Sequence, residues 1–438
     1  MSFIAKNLQK KPTCRSKDWN LDEMKRLLYI ISVFVCTLPS YAQYEVAIDS
    51  TLLYENPALG KMLELQSNLS DFVFKQESSI FDRKPSFRIL PSVKRTPGYG
   101  FSFGLGGAVS FYTDKTDLRL HRSEIPLYVS VAFTKPFSYS IGCEPLFYFA
   151  GNAFLLKAEI SYRDWLEYYF GVGYSICHNP TYEKDLYTYE SRLIRFKPSF
   201  QLRMGNDNLY GGVVIDVWNE QVKNPEQFVC SDPYYLKLVG NVDEPHSATG
   251  TGVGVNVTYD SRDVPNDAYR GLLLSAEGML YTTAFGGNTR YGTLIIDYRQ
   301  YMQLCGRKQV LAWNVTSNNV FGNDIPFMRY ATIGGVNNFR GYYNYQYRDK
   351  SMLTTQIEYR YWLQINSDWG ILLNRCGFAV WAGTGAIGTN PVRYEALLPQ
   401  AGVGLRFALR DRLNFRFDVA HNPVDNDTMW YISFSEAF

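Results

Sequence analysis

Two residue patterns in this sequence could support catalysis, but neither has the surroundings that its chemistry requires. Gly100-Phe101-Ser102-Phe103-Gly104 matches the nucleophile motif of hydrolases, in which the serine occupies a sharp turn between a strand and a helix. Here the serine lies within a segment of alternating apolar and polar residues, which indicates a strand. The run Gly250-Thr251-Gly252-Val253-Gly254 lacks the following helix that a dinucleotide site needs. The sequence therefore predicts no catalytic residues.

Histidine and cysteine positions give no support for a metal site. None of the histidines has a partner spaced for zinc or for a catalytic triad. They are His121, His178, His246 and His421. The cysteines beyond the N-terminal region are odd in number and widely spaced, which argues against a disulfide framework and against a CxxC site. They are Cys143, Cys177, Cys230, Cys305 and Cys376. We interpret them as isolated small apolar side chains and expect neither a metal nor a cofactor.

A glycine-rich stretch around one arginine is the most informative part of the chain. It reads Ile333-Gly334-Gly335-Val336-Asn337-Asn338-Phe339-Arg340-Gly341-Tyr342 and lies in a long linker between two alternating segments, Val310–Thr316 and Met352–Tyr361. Glycines permit tight backbone paths that a side chain would block. The residues that define the motif are Gly334, Gly335, Phe339, Arg340, Gly341 and Tyr342.

This stretch resembles the Arg-Gly-Phe/Tyr loop of the BamA/TamA-like outer-membrane assembly barrels. The resemblance implies that the loop descends from outside into the barrel lumen, where Arg340 meets acidic groups on the inner wall. Family members often carry an aromatic-x-Asp-x-Gly pattern on a nearby strand, but the matching segment here is Trp381-Ala382-Gly383-Thr384-Gly385. Since a glycine replaces that aspartate, we predict Glu358 or Asp418 as the partner, because both face inward by alternation. The alternative is that Arg340 is a solvated loop residue.

A second stretch carries the same resemblance. Tyr259-Asp260-Ser261-Arg262-Asp263, followed by Pro265 and Gly271, looks like the family's Asp-x-Arg-Asp periplasmic turn. Short Asp and Ser side chains can close such a turn on their own backbone. We therefore expect Asp260, Arg262 and Asp263 to have a structural role.

The C-terminal segment Met429–Phe438 ends on an aromatic residue, as outer-membrane barrels recognised by the assembly machinery usually do. Phe434 and Phe438 are therefore candidate targeting residues. The alternative for Phe438 is a position in an aromatic girdle at the membrane interface, and one residue can fill both roles. Glu436 departs from the alternation, which would make its position apolar.

Composition and periodicity indicate a transmembrane β-barrel. Of the 438 residues, 16% are aromatic and 46% hydrophobic, and the mean hydropathy of −0.22 is too polar for a bundle of membrane helices. In a barrel only alternate residues face lipid, and aromatic girdles mark both interfaces. From Gly100–Tyr112 to Met429–Phe438 we count about sixteen alternating segments, an even number as a closed antiparallel barrel requires. A charge such as Arg416 facing lipid would cost about 2–4 kcal/mol, so the lumen is expected to be polar.

The lengths of the connections give the predicted orientation. Short turns are expected in the periplasm, among them Lys135-Pro136, Arg163-Asp164-Trp165 and Gly205-Asn206-Asp207-Asn208. Long connections, such as Cys177–Ser191 and Ser317–Ser351, fall on the opposite side, so the arginine loop is expected outside. The interpretation of Arg163-Asp164-Trp165 as a turn divides two predicted strands, Ala153–Tyr162 and Leu166–Ile176.

The N-terminal region has the pattern of a signal peptide. Lys25-Arg26, the apolar run Leu27–Leu38 and Ser40-Tyr41-Ala42 predict a signal over residues 1–42, with Met24 as an alternative start. Residues 43–95 are expected to form a short periplasmic preface with a helix near Pro57–Phe74, and residues 96–438 the barrel. The preface is too short for the periplasmic substrate-binding modules that normally precede BamA-like barrels, so an accessory periplasmic subunit is a candidate partner.

The resemblance implies a bacterial outer-membrane protein that helps to insert or translocate outer-membrane or surface proteins. The expected partners are outer-membrane lipids and client proteins, and the net charge of +2 gives no reason to expect nucleic acid. A seam between Gly100–Tyr112 and Met429–Phe438 is predicted to open, because the first of these is rich in glycine, which weakens strand pairing. The alternatives are a passive porin-like channel and a surface adhesion or scaffold barrel.

Overall fold

The computed structural model describes residues 83–178, 187–241, 246–265, 267–304, 309–365, 373–410, 413–434 and 436–438. The predicted signal peptide and the helix near Pro57–Phe74 lie outside the described residues. Within those ranges, no helix has the length and apolar character needed to cross a membrane.

The described residues form one closed antiparallel β-barrel of sixteen strands, as predicted. Two short strands, β4 (Ser138–Cys143) and β5 (Leu146–Phe149), are pieces of one wall strand, since both pair with β3 (Ser123–Ala132) and with β6 (Phe154–Tyr168). The strands are β1 Ser86–Thr96, β2 Gly100–Phe111, β3 Ser123–Ala132, β4 Ser138–Cys143, β5 Leu146–Phe149, β6 Phe154–Tyr168, β7 Thr188–Arg203, β8 Leu209–Lys223, β9 Ser247–Asp260, β10 Gly271–Tyr281, β11 Arg290–Gln303, β12 Gln309–Asp324, β15 Ser351–Trp362, β16 Cys376–Gly388, β17 Ala396–Arg410, β18 Leu413–Asn422 and β19 Asp427–Phe434.

The barrel begins earlier than predicted. Ser86–Thr96, which we had assigned to the periplasmic preface, is strand β1 and pairs with β2 from Ser86↔Ser110 to Thr96↔Gly100. Its alternation is hard to see in the sequence because Pro91 and Arg95 interrupt the series of apolar positions that includes Phe87 and Ile89. The predicted boundary at residue 96 was therefore wrong by one strand.

The predicted strands Ala153–Tyr162 and Leu166–Ile176 are parts of the single strand β6. Arg163-Asp164-Trp165 continues this strand instead of turning. Its charges are satisfied by partners, because Arg163 forms an ion pair with Glu167 at 2.7 Å and Asp164 accepts a hydrogen bond from Arg192 of β7. The contact with Arg192 could not be inferred from the sequence of β6 alone. The prediction omitted β1 and counted β6 twice. These two errors cancel, so the predicted number of sixteen strands was right.

The two rims of the barrel carry different connections. The first, which we call the long-loop rim, carries the helices α1 Tyr174–Cys177, α2 Gln227–Ser231 and α3 Pro233–Asn241, and the loop sheet of β13 Ala331–Ile333 and β14 Tyr347–Asp349. The opposite, short-turn rim carries Gly205–Asn208, as predicted. Because β1 was missed, Lys135-Pro136 was assigned to the wrong rim; it joins β3 to β4 at the long-loop rim.

The two faces of the wall differ as the alternation predicts. On β17 the side chains of Val403 and Leu405 are 58% and 64% exposed, whereas Arg406 is buried. On β18 Arg416 and Asp418 are buried as well. A barrel in lipid exposes apolar side chains outward and keeps its charges in the lumen. The buried charges therefore mark the interior surface against which the loop packs.

Candidate functional site in the lumen and at the β1–β19 seam

The loop between β12 and β15 lies against the inner wall formed by β17, β18 and β19. The Gly341 N–H donates to the Tyr431 hydroxyl at 2.8 Å, and the Tyr342 hydroxyl donates to the carbonyl oxygen of Pro399, also at 2.8 Å. Asn422 donates from Nδ2 to the Gly341 carbonyl oxygen at 2.5 Å. The loop is therefore attached to the last three strands by hydrogen bonds from both its backbone and its side chains.

Glycines give the loop a path that other residues could not follow. Gly334 and Gly335 have φ of 119° and 118°, and Gly341 has φ of 95°. A Cβ at Gly334 would lie 2.0 Å from the carbonyl oxygen of Tyr343. Residues with side chains rarely adopt such positive φ angles. This fold brings Phe339 and Tyr342 together as a buried stacked pair with ring centroids 5.7 Å apart.

The Arg340 side chain is buried between two carboxylates and an indole ring. Its Nη2 lies 2.5 Å from Oε2 of Glu358, and its Nη1 lies 2.8 Å from Oδ2 of Asp418. The guanidinium carbon is 3.5 Å from the centroid of Trp381. The two acids are the ones inferred from alternation, and Arg340, at 1% exposure, is not a solvated loop residue. Both terminal nitrogens of the guanidinium are thus paired with carboxylates, and its plane lies against the Trp381 ring.

The ion pairs continue along the wall. Glu358 also accepts from Arg360 Nε at 2.7 Å, and Asp418 accepts from Arg406 and Arg416 at 2.6 and 3.2 Å. Arg416 in turn donates from Nη2 to the carbonyl oxygen of Val336 in the loop. Removing one member of a buried ion pair leaves its partner uncompensated and costs roughly 3–5 kcal/mol. We refer to Arg340, Arg360, Arg406, Arg416, Glu358, Asp418 and Glu436 as the lumen ion network.

Gly383 leaves no room for the aspartate that the family pattern would place there. A Cβ at this position would lie 2.5 Å from the carbonyl oxygen of Thr355. The space beside it is filled by two glutamines, since the Trp381 indole N–H donates to Gln400 at 2.8 Å and Gln400 donates to Gln356 at 3.2 Å. The negative charge that pairs with Arg340 comes instead from neighbouring strands.

The seam between the first and last strands is the weakest junction in the wall. β1 pairs with β19 through one pair of residues, Arg95↔Ile432, although it pairs with β2 along its whole length. The predicted seam between Gly100–Tyr112 and Met429–Phe438 was wrong, because β1 lies between them. Arg95 covers this junction, with its guanidinium carbon 3.5 Å from the Trp430 ring centroid. It also donates a hydrogen bond to the Trp430 carbonyl oxygen.

Comparison with known proteins gives the family. The sequence profile described as the Omp85 superfamily domain matches residues 102–438. The chain belongs to the Omp85 superfamily. The predicted resemblance is therefore confirmed at the level of the superfamily, and so is the predicted location in the outer membrane. A search of curated proteins found no match to this Omp85 barrel.

Solved structures similar to this Omp85 barrel include BamA from Haemophilus ducreyi lacking POTRA domains 1–3. The TM-score is 0.57 at 12% identity, and the match covers 87% of this chain and 78% of that chain. CdiB from Acinetobacter baumannii matches with a TM-score of 0.49 at 12% identity over 80% of this chain and 59% of that one. CdiB from Escherichia coli matches with a TM-score of 0.47 at 12% identity, over 80% of this chain and 63% of that one. At 12% identity, the similarity to BamA shows a shared fold and nothing more.

The second stretch with a family resemblance, Asp260–Asp263, lies in the turn between β9 and β10. Arg262 binds Asp260 through two hydrogen bonds, at 2.9 and 2.8 Å. Oδ1 of Asp263 accepts the backbone N–H groups of Val264 and Tyr269, each at 3.0 Å. These contacts lie within the turn, as expected for a structural element that fixes the short-turn rim.

The two C-terminal aromatic residues of the Omp85 barrel occupy different places. Phe434 ends β19 and lies edge-on to Phe415 of β18, with centroids 5.8 Å apart. Phe438 lies beyond the strand, is 7% exposed and packs in a buried cluster with Tyr301 and Val310 of β11 and β12. The predicted strand Met429–Phe438 was therefore too long, and Phe438 is not an interface girdle residue. Its role in targeting stays a prediction.

One residue that the sequence did not reveal attaches the loop at the long-loop rim. Asp425, in the turn between β18 and β19, accepts hydrogen bonds from the Tyr347 hydroxyl at 2.9 Å and from Gln346 Nε2 at 3.0 Å. His178 Nδ1, next to α1, lies 3.0 Å from the same carboxylate. Burial and the Asp425 carboxylate raise the pKa of Tyr347 far above its usual value, so this hydroxyl remains a donor. No motif or spacing signalled Asp425.

Proposed function

We propose that this Omp85 barrel assists the insertion or translocation of outer-membrane or surface proteins by offering the free edge of β1 to an incoming strand. The observation that supports this most directly is the single residue pair between β1 and β19. An edge strand carries unpaired N–H and C=O groups, and in a bilayer each unsatisfied group costs several kcal/mol. Pairing with a client strand would satisfy them, as in β-strand addition.

The loop indicates which side of the seam moves. β18 and β19 are attached to the loop through Asp418, Asn422 and Tyr431, all of which bind Arg340 or Gly341. β1 is held by its pairing with β2 and by Arg95 at the seam. We therefore assign β19 as the fixed side and β1 as the mobile side. In this proposal the loop stabilises the wall against which the seam opens.

The geometry gives less support to a passive channel. The loop residues Phe339, Arg340 and Tyr342 are buried within the lumen, where a wide pore would need open space. Two polar cavities of about 240 and 370 Å³ lie between the loop and the wall, and both are lined by Arg163 and Glu167. A steady large conductance in planar bilayers would favour the channel. We expect the intact barrel to show at most small, brief openings.

The proposal is tested by locking the seam. Cysteines replacing Arg95 and Ile432 face each other in register, and paired strands bring Cα atoms within reach of a disulfide. The native cysteines are first replaced by serine. Oxidation should abolish client assembly in proteoliposomes, and a reductant should restore it.

A matched control locks a junction that is not expected to open. Ser102 and Ala132 face each other across β2 and β3 in the same way. A disulfide at this pair should leave client assembly unchanged. Full assembly by the barrel locked at Arg95 and Ile432 would rule out the seam as the site of action. The clients, the outer-membrane lipids and an accessory periplasmic subunit remain proposed partners, and no enzymatic step is part of the proposal.

A further inference from the structure

The larger of the two polar cavities in the lumen, about 370 Å³ in volume, lies between the wall and the arginine loop. The wall strands β6 and β7 contribute Arg163 and Arg195 to its lining. The loop contributes Arg329, just before β13, and Arg348, on β14. None of the residues that bind Arg340 lines this cavity. Four arginines therefore border one enclosed space that is separate from the site around Arg340.

Three of these arginines have hydrogen-bond donors that no protein group uses. The Nε atoms of Arg163, Arg329 and Arg348 are buried and have no acceptor among the described residues. Arg348 is the most enclosed of the three, at 2% exposure. Arg195 differs, because its Nε and Nη2 both donate to Asp216, at 3.0 and 2.9 Å. A buried N–H without an acceptor is costly, and three of them around one cavity can share a single ligand that is rich in acceptors.

The acids beside these three arginines do not balance them fully. Arg163 and Arg329 share Glu220, at 3.6 and 2.7 Å, and Arg163 also binds Glu167 at 2.7 Å. Arg348 has no ion pair among the described residues, and its Nη1 donates to a carbonyl oxygen of the loop at 2.7 Å. Three guanidinium groups thus meet two carboxylates. Like charges repel strongly in an interior of low dielectric constant, so an anion between them would lower the electrostatic energy.

The charges around the cavity remain positive when its neighbours are included. Arg195 is paired with two acids, Asp216 and Glu159. Lys94 lines the smaller cavity together with Arg163 and forms no ion pair among the described residues. Five cations therefore meet four acids in this part of the lumen. The uncompensated charge favours a ligand that carries negative charge.

We propose that this cavity binds a small tetrahedral oxyanion of the phosphate class, held by Arg163, Arg329 and Arg348. Guanidinium groups bind such oxygens through charge-assisted hydrogen bonds. A tetrahedral oxyanion presents acceptors in several directions, which suits donors that come from three different segments of the chain. Because Arg163 belongs to the wall and the other two arginines belong to the loop, the anion joins the loop to β6. This site goes beyond the proposed function and does not depend on opening of the seam.

Binding is measured by isothermal titration calorimetry on the full-length barrel, purified in detergent and in a phosphate-free chloride buffer. Inorganic phosphate is the probe, and we expect saturable binding. R348Q should weaken the affinity by at least about tenfold, because it removes a charged hydrogen-bond donor. R393Q makes the same change at an exposed arginine and should leave the affinity unchanged. No saturable binding to the unaltered barrel, or equal affinity in a folded R348Q barrel, would overturn the proposal.

A second measurement keeps every charge and does not require R348Q to fold. Ser161 of β6 lines the cavity, and S161C is introduced into a background whose native cysteines are serine. Saturating phosphate should slow the reaction of this thiol with methyl methanethiosulfonate, an uncharged reagent, several-fold. S231C is the control, because Ser231 is exposed in α2, and its reaction rate should be the same with and without phosphate. If phosphate does not slow the reaction of S161C, the anion does not occupy this cavity and the proposal is wrong.

Discussion

Arg340 and Asp418 are 78 residues apart in the sequence, and their side chains lie 2.8 Å apart in the lumen. This contact joins the loop between β12 and β15 to a strand next to the seam. Because the pair is buried, its strength depends on the full set of partners around it. The loop therefore stabilises the part of the wall that lies beside β19.

Two substitutions of Arg340 distinguish the contribution of its charge to stability from the contribution of its planar shape. R340A leaves Glu358 and Asp418 short of a cation and is expected to destabilise the barrel by roughly 3–5 kcal/mol. R340K keeps the charge but cannot bind two carboxylates as a planar fork or stack on Trp381 in the same way, so it should recover only part of the loss. For the measurement, samples are heated to a series of temperatures before electrophoresis. The temperature at which the band of the folded barrel disappears is then recorded.

The matched control for these variants is R393A, because Arg393 is exposed in the connection between β16 and β17. It should leave that temperature unchanged. Equal stability of R340A and R393A would show that the Arg340 side chain contributes nothing to the stability of the fold.

Gly334 should tolerate no side chain. G334A combines a φ of 119° with a Cβ that lies 2.0 Å from the Tyr343 carbonyl oxygen, so the loop must shift. The expected results are a lower unfolding temperature and faster proteolysis of the loop. G240A is the control, because a Cβ at Gly240 in α3 meets no atom within 4 Å. A stable, protease-resistant G334A barrel would contradict the described loop path.

Asp349 should make the barrel less stable as the pH rises. Burial raises the pKa of this carboxyl above its ordinary value of 3.8, and its Oδ2 has no hydrogen-bond partner. The folded state therefore holds the proton more tightly than the unfolded state, and stability falls as the pH rises from that ordinary value through the folded-state pKa. D349N should raise the unfolding temperature at neutral pH and give no gain below about pH 3.5.

The control for the pH effect is Asp114, whose pKa is lowered, first of all by the hydrogen bond from the Thr116 side chain. D114N should give no gain at neutral pH. A pH-independent benefit of D349N would mean that the change acts through packing and not through the charge.

Two native cysteines should report which rim faces the cell exterior. Cys230 is exposed on α2, whereas Cys177 is buried in α1 and burial raises the pKa of its thiol to about 12. The thiolate is the reactive form. An impermeant maleimide should therefore label Cys230 on intact cells and leave Cys177 unlabelled until the protein is denatured.

The control is C230S, which should lose this labelling. Labelling of Cys230 only after the outer membrane is opened would place the long-loop rim, and the arginine loop with it, on the periplasmic side.

The sequence by itself determined the architecture, because alternation along a strand is a local property. Val403, Leu405 and Arg406 already show which face meets lipid, and the glycines at 334, 335 and 341 already indicate an unusual backbone path. Because charged residues must face the lumen, the sequence also identified Glu358 and Asp418 as the acids that bind Arg340. Each of these inferences needs only neighbouring residues and the cost of a charge in lipid.

Only the tertiary structure decided which strands close the barrel and which segments of the chain lie in its lumen. The pairing of β1 with β2 and β19, the continuation of β6 through Asp164, and the inward turn of Glu436–Phe438 depend on partners far along the chain. The anchoring of the loop by Asp425 has the same origin. Such contacts form when closure brings distant strands together, so no periodicity within one segment can reveal them.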